Sequence, residues 1–111
     1  MPVPIEITFR GMARSPGLET AAERWLTRLE HSYARIHNCH VAIGLPHRHR
    51  RRGAAFQVKL VLAVPGSEDV VAHDQDHADA YVALAEAFNA ARRELRDRAR
   101  IRRGGIRRHA A

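Results

Sequence analysis

The segment AAFQVKLVLAV, residues 54–64, decides the fold, because its side chains alternate between strongly apolar and less apolar positions. A period of two is typical of a β-strand that buries one face. The inward positions are Ala54, Phe56, Val58, Leu60, Leu62 and Val64. Pro65-Gly66-Ser67 then indicates a turn, and a shorter strand is expected at about residues 69–73. Because a short turn joins antiparallel neighbours, these two strands should form a hairpin.

Two further strands are predicted upstream of this hairpin. Apolar residues alternate within residues 3–10, and they alternate again from Cys39 to Leu45. A polar and basic connection, residues 46–53, separates the second of these strands from the hairpin. The outward positions define an open face of the sheet, which should carry Glu6, Thr8, Arg10, His40, Gln57 and Lys59.

The apolar residues between the first two strands recur at three- and four-residue spacing, which predicts an amphipathic helix. Ser15 is its expected N-cap and Pro16 its first residue. Its apolar face comprises Leu18, Ala22, Trp25, Leu26, Leu29, Tyr33 and Ile36, and His37-Asn38 should end it.

A second helix follows the last strand. Asp76 is its predicted N-cap. The negative charge of Asp79, three residues later, should interact favourably with the positive end of the helix dipole. The apolar face comprises Tyr81, Leu84, Ala85, Phe88, Ala91 and Leu95. The pair Gly104-Gly105 should end this helix.

The predicted element order is β-α-β-β-β-α. A helix between the first two strands makes their connection a crossover, so these strands should be parallel neighbours, and the later strands an antiparallel meander. The expected fold is an α+β two-layer sandwich, with a four-stranded mixed sheet and both helices on one face. With 111 residues the chain has room for one domain. We expect it to span residues 1–103, with residues 104–111 as a basic, disordered tail.

Charge is unevenly distributed along the chain. The formal net charge is +7, and Lys59 is the only lysine among 19 basic residues. Residues 92–108 hold nine arginines against Glu94 and Asp97, and residues 47–52 hold four arginines and no acid. Two basic segments on a mildly acidic body indicate a polyanionic partner, although a GC-rich genome also favours arginine.

The arginines of the second helix are the strongest candidate site. On a helix, Arg93, Arg96, Arg100 and Arg103 fall within about 80° of one another. Like charges at these spacings repel by roughly 0.2–0.5 kcal/mol per pair, whereas phosphates opposite them would release counterions. The alternative is a solvated basic segment without a partner. Likewise, the loop with Arg48, Arg50, Arg51 and Arg52 either clamps a phosphate backbone or is a solvated turn.

The sequence predicts no catalytic, metal or cofactor site. It contains no glycine-rich phosphate loop and no nucleophile motif, and its histidine spacings match no closed zinc pattern. Cys39 is predicted to be a core residue, and a single cysteine fits a reducing cytoplasm. No apolar run reaches the length of a membrane span, and no secretory signal is visible. We therefore expect a cytoplasmic protein without a membrane or small-molecule partner, monomeric when free.

Four short motifs carry a family resemblance. They are Ile5-Glu6-Ile7-Thr8, Arg28-Leu29-Glu30, Tyr33-Ala34-Arg35-Ile36, and Asp79-Ala80-Tyr81-Val82-Ala83-Leu84 followed by Leu95. With the element order and the size, they resemble the ribosome hibernation-promoting factor family, also called ribosome-associated inhibitors, ribosomal subunit interface proteins or sigma-54 modulation proteins. The chain resembles the short form, which has no C-terminal dimerisation domain.

The resemblance implies a translation-silencing factor. It would bind small-subunit ribosomal RNA near the decoding region, occupy space that mRNA and tRNA need, and keep ribosomes inactive under stress. On this hypothesis the RNA-binding residues are Arg93, Arg96, Arg100, Arg103, Arg28, Arg24, Arg92, Arg48, Arg50, Arg51 and Arg52. Two alternatives stay open: a general double-stranded-RNA-binding module, and a protein-binding transcription regulator.

Overall fold

In the part of the chain that the structure describes, six secondary-structure elements follow one another in the predicted order. The computed structural model describes residues 3–32, 35–45, 56–64 and 70–110 and, within these ranges, all side chains except those of residues 70–72 and 99–110. The strands are β1 (Ile5–Arg10), β2 (Asn38–Gly44), β3 (Phe56–Ala63) and β4 (Val70–His77). The helices are α1 (Pro16–Ser32) and α2 (Ala80–Ala110).

The four strands form one mixed sheet in the order β1-β2-β3-β4. β1 runs parallel to β2, with Ile5 opposite Cys39 and Arg10 opposite Gly44. β3 is antiparallel to both β2 and β4. α1 returns the chain between β1 and β2, which is why these neighbours can be parallel. The predicted α+β class, with a four-stranded mixed sheet and two helices, is confirmed.

The core lies between one face of the sheet and the two helices. Alternate strand residues, among them Val41, Ile43 and Leu60, are fully buried and belong to one cluster with the apolar stripes of both helices. The buried helical residues are Leu18, Ala22, Leu26, Leu29, Ala80, Ala83, Leu84, Ala87, Phe88, Ala91 and Leu95. Because burying one large apolar side chain contributes about 1.5–3 kcal/mol, this cluster holds the helices to the sheet.

Side chains cap the N-termini of both helices, one as predicted and one not. Ser15 Oγ accepts a hydrogen bond from the Leu18 N–H at 3.2 Å, which confirms Ser15 as the N-cap of α1. The prediction that Asp76 caps α2 is wrong, because Asp79 Oδ1 accepts the Tyr81 N–H at 2.9 Å. β4 extends to His77, so Asp76 lies within that strand, opposite Gln57 of β3.

Both helices end at residues other than the predicted ones. α1 ends at Ser32, and the His37 N–H donates instead to the Ala63 carbonyl of the sheet at 2.7 Å. Ile36 is buried although it lies outside the helix. α2 continues through the predicted stop at Gly104-Gly105 to Ala110, so residues 104–110 are helical where a disordered tail was predicted. Each glycine costs a helix about 1 kcal/mol relative to alanine, which weakens a helix without necessarily ending it.

Gly44 permits a close approach of β1 and β2 at the end of the parallel pair. A Cβ at this position would collide with the carbonyl oxygen of Arg10 and lie 2.9 Å from the Arg10 Cβ. We expect Gly44→Ala to lower the free energy of unfolding by about 1–3 kcal/mol, because the two backbones must move apart. Urea denaturation measures this loss.

Gly17→Ala is the matched control for that variant. A Cβ at Gly17 would meet the hydroxyl of Tyr81, the far end of a side chain that is 50% exposed and has room to turn away. Its free energy of unfolding should stay within about 1 kcal/mol of that of the unmodified protein. Equal losses in both variants would contradict the role of Gly44.

The exposure of Tyr81 also shows that its predicted place on the buried face of α2 is wrong.

Cys39 is buried in β2, and this burial gives the thiol a pH signature. Burial, with a smaller effect of the Glu30 carboxylate, raises the pKa of Cys39 to about 12. A thiol in an unfolded chain ionises near pH ~8.5, so with rising pH the unfolded state loses this proton first. This group should therefore lower the free energy of unfolding above that pH, by at most ~1.4 kcal/mol per pH unit.

Denaturation of the unmodified protein and of Cys39→Ala across the alkaline range measures this effect. The unmodified protein should lose stability more steeply with rising pH than the variant, whatever the difference between them at neutral pH. Parallel pH profiles would contradict the raised thiol pKa.

Candidate nucleic-acid interface

α2 presents three neighbouring arginines to solvent, Arg92, Arg93 and Arg96. Ala91 and Leu95 turn inward into the core, so the three arginines lie beside the apolar stripe of the helix. Arg96 follows the other two at spacings of three and four residues, at which like charges repel. The cluster therefore favours an external counter-charge.

Carboxylates do not neutralise these three arginines: none of them makes an ion pair with any side chain that the structure describes. Arg98 differs, because its Nε donates to Glu94 Oε2 at 3.0 Å. The other carboxylate oxygen of Glu94 lies 3.0 Å from His73 Nε2 in β4, which is an ion pair when the imidazole is protonated. Glu94 thus faces Arg98 and His73 and leaves the three exposed arginines to an outside anion.

α1 contributes two more exposed arginines, Arg24 and Arg28. The guanidinium carbon of Arg28 lies 5.0 Å from the centroid of the Trp25 ring, within the range of a cation–π interaction. Trp25 in turn stacks on Phe88 of α2, with the ring centroids 6.2 Å apart and the ring planes at 14°. Packing on the Trp25 ring therefore positions Arg28. Because Trp25 stacks on Phe88, the same contact places Arg28 beside α2.

Arg28 and Arg92 meet at a groove between the two helices. The groove has a volume of about 300 Å³ and is lined by Trp25, Arg28, Leu29, Ser32, Phe88, Asn89 and Arg92. None of these lining residues is acidic. The structure thus brings together one candidate arginine from each helix, at positions far apart in the chain.

Three other candidate arginines that the structure describes, Arg24, Arg93 and Arg96, do not line this groove. Arg24 precedes Arg28 by one helical turn on α1, and Arg93 and Arg96 are exposed on α2. The side chains of Arg100 and Arg103, and all of Arg48, Arg50, Arg51 and Arg52, lie outside the described part of the chain.

Sequence reasoning missed Trp25 and Asn89 as residues of this surface. Trp25 was predicted to be a core residue, yet it is only partly buried and lines the groove. A local signal existed, because Trp25 and Arg28 are three residues apart on one helix, where a cation reaches an aromatic ring. No sequence pattern shows their meeting with Asn89, which depends on how the helices pack.

The open face of the sheet is mixed in charge. A second depression, of about 290 Å³, is lined by Arg10, Ala42, Ile43, Gly44, Leu45, Gln57, Lys59 and Asp74. Lys59 stands opposite Asp74 in the β3–β4 register, which places a carboxylate beside the cation. A polyanion is therefore attracted less to this face than to the arginines of the helices.

In the described residues, no three histidine, cysteine or acidic side chains gather in a group that could hold a metal ion. Neither helix, over the same residues, has a stretch long and apolar enough to cross a bilayer.

Solved structures share this fold. A ribosomal subunit interface protein from Coxiella burnetii superposes with a TM-score of 0.74 at 18% sequence identity, covering 87% of this chain and 98% of that one. The N-terminal domain of Protein Y from Thermus thermophilus superposes with a TM-score of 0.60 at 16% identity, covering 86% of this chain and 96% of that one. At such identities the likeness shows the fold alone.

Sequence comparison gives the family. No curated protein matches the chain significantly. Residues 5–103, however, match a family of sequences, and this range contains every strand and the helical arginines described above. The protein therefore belongs to the sigma 54 modulation protein / S30EA ribosomal protein family.

Proposed function

We propose that this protein is a translation-silencing factor that binds small-subunit ribosomal RNA near the decoding region. It keeps ribosomes inactive under stress, without catalysis, and acts in the cytoplasm as a monomer when free. Membership of a family of ribosome-associated proteins supports this proposal. The observation that carries it is the arginine surface, which we define as the exposed residues Arg24, Arg28, Arg92, Arg93 and Arg96.

The arginine surface has the chemistry that folded RNA requires. A guanidinium group is planar, stays charged at every physiological pH, and donates paired hydrogen bonds to phosphate oxygens. Each phosphate that it neutralises releases counterions, so binding should weaken steeply as salt rises. The absence of ion pairs at Arg92, Arg93 and Arg96 among the described side chains means that no internal carboxylate must be displaced first.

The fold supports a factor that silences translation by occupying the binding space of other ligands rather than by catalysis. The arginine surface lies on two helices whose apolar stripes are fixed in the core, so it is presented by a rigid body. A rigid domain docked by phosphate contacts excludes other ligands from the same cleft. On this proposal mRNA and tRNA are the excluded ligands.

Reversing two arginines of this surface tests the proposal. We expect Arg93→Glu with Arg96→Glu to abolish cosedimentation with small ribosomal subunits at moderate salt. Both side chains are exposed, so the fold should persist. Charge-neutral substitutions at the same positions should reduce the slope of log affinity against log salt by about 1 per arginine.

The matched control is Arg10→Glu with Lys59→Glu, which changes the net charge equally on the open face of the sheet. It should retain most of the cosedimentation. Equal loss in both double variants would show that net charge, and not the arginine surface, drives binding. Failure of the unmodified protein to cosediment, even at low salt and with intact RNA, would refute the proposed function.

Competition with bulk duplex RNA separates the proposal from a general double-stranded-RNA binder. We expect duplex RNA at equal phosphate concentration to displace little of the protein from small subunits, because a folded RNA cleft surrounds the domain and a duplex contacts one side. Displacement by duplex RNA in proportion to its phosphate content would contradict the proposal and favour the general binder. Binding that survives nuclease and high salt would favour a protein partner.

A further inference from the structure

The groove between α1 and α2 has a composition that phosphate binding alone does not require. Its floor is apolar, with Leu29 and Phe88 buried and Trp25 partly exposed. Its rims are polar, with Arg28 and Ser32 on α1 and Asn89 and Arg92 on α2. An arginine surface that only contacts phosphates needs no aromatic floor beneath it.

We infer that this groove receives one unstacked nucleotide, its base against the Trp25–Arg28 pair and its phosphate between Arg28 and Arg92. Bases stack on aromatic rings and on guanidinium planes, and this is how proteins hold unpaired nucleotides of RNA. The inference rests on the proposed function, because the nucleotide would belong to an RNA loop lying along the arginine surface.

The charge of the groove favours this occupant over an apolar side chain of a partner protein. Two guanidinium groups flank the groove and no lining residue carries a negative charge. An apolar occupant would leave both cations without a counter-charge, whereas a nucleotide supplies a phosphate and an aromatic ring in one ligand.

Size and hydrogen bonding agree with one nucleotide. The volume of about 300 Å³ lies at the lower end of the range for small-molecule sites, which suits a single base with its phosphate. The Asn89 amide, partly buried at the rim, makes no hydrogen bond to any described residue. An amide offers both a donor and an acceptor, which can meet the edge of a base.

Fluorescence of Trp25, the only tryptophan of the chain, gives a direct test. We expect nucleoside 5′-monophosphates to quench it saturably with a millimolar dissociation constant, and ribose 5-phosphate, which has no base, to quench it far less. A short single-stranded RNA should bind more tightly than a mononucleotide, and a blunt duplex of the same length should quench little. These arms distinguish a nucleotide within RNA from a free one.

Arg28→Ala and Arg92→Ala should each weaken mononucleotide binding roughly tenfold, and both residues are exposed, so the fold is not at stake. Arg35→Ala removes an exposed arginine that does not line the groove and should leave the affinity unchanged. Arg93→Ala should weaken binding to small subunits while leaving mononucleotide affinity unchanged. Arg28 lies over the indole, so replacing it changes the surroundings of the fluorophore. The variants are therefore compared by their dissociation constants and not by the amplitude of quenching.

Three results would overturn the inference: no saturable quenching by mononucleotides or single-stranded RNA, equal quenching by ribose 5-phosphate, or unchanged affinity in both groove variants. Each is compatible with intact cosedimentation, in which case the arginine surface binds phosphates and the groove stays empty. Conversely, saturable mononucleotide binding without cosedimentation would support the groove as a nucleotide site and refute the ribosomal proposal.

Discussion

The stack of Trp25 on Phe88 joins the two helices where they form the groove. Burial in the shared core holds each helix in place, and the stacked rings add a contact of defined geometry between them. Aromatic pairs with offset rings add about 0.5–1.5 kcal/mol beyond their buried area and favour a defined geometry. The groove and the separation of Arg28 from Arg92 depend on this geometry. The groove is thus a product of helix packing rather than of either helix alone.

Much of the fold could be predicted because its determinants are local. Strand alternation depends only on the two-residue period, and the Ser15 cap only on the residues that follow it. Asp76 and Asp79 show where local reasoning stops: both fit a cap, and only the pairing of β4 with β3 decides between them. The candidate site divides in the same way. Charge pointed to Arg92 and the family resemblance to Arg28, but their meeting at one groove depends on contacts between distant parts of the chain.

The two exposed faces of the domain differ in how charge is arranged. On the helical face, no carboxylate among the described side chains pairs with the arginine surface. Glu94, which follows Arg93 in the sequence, faces Arg98 and His73 instead. On the sheet face, Lys59 lies opposite the acid Asp74 of the neighbouring strand. The charge of the domain is therefore directional, and on the proposed function it favours one orientation of the domain on its RNA.

The position of Lys59 has a consequence for regulation. This only lysine of the chain is exposed on the open sheet face, between the buried residues Val58 and Leu60, and so points away from the helices. Acetylation, which cancels the charge of lysine amines, has no target side chain on the arginine surface. An acetyltransferase would therefore modify the open face of the sheet and leave the charge of the arginine surface unchanged.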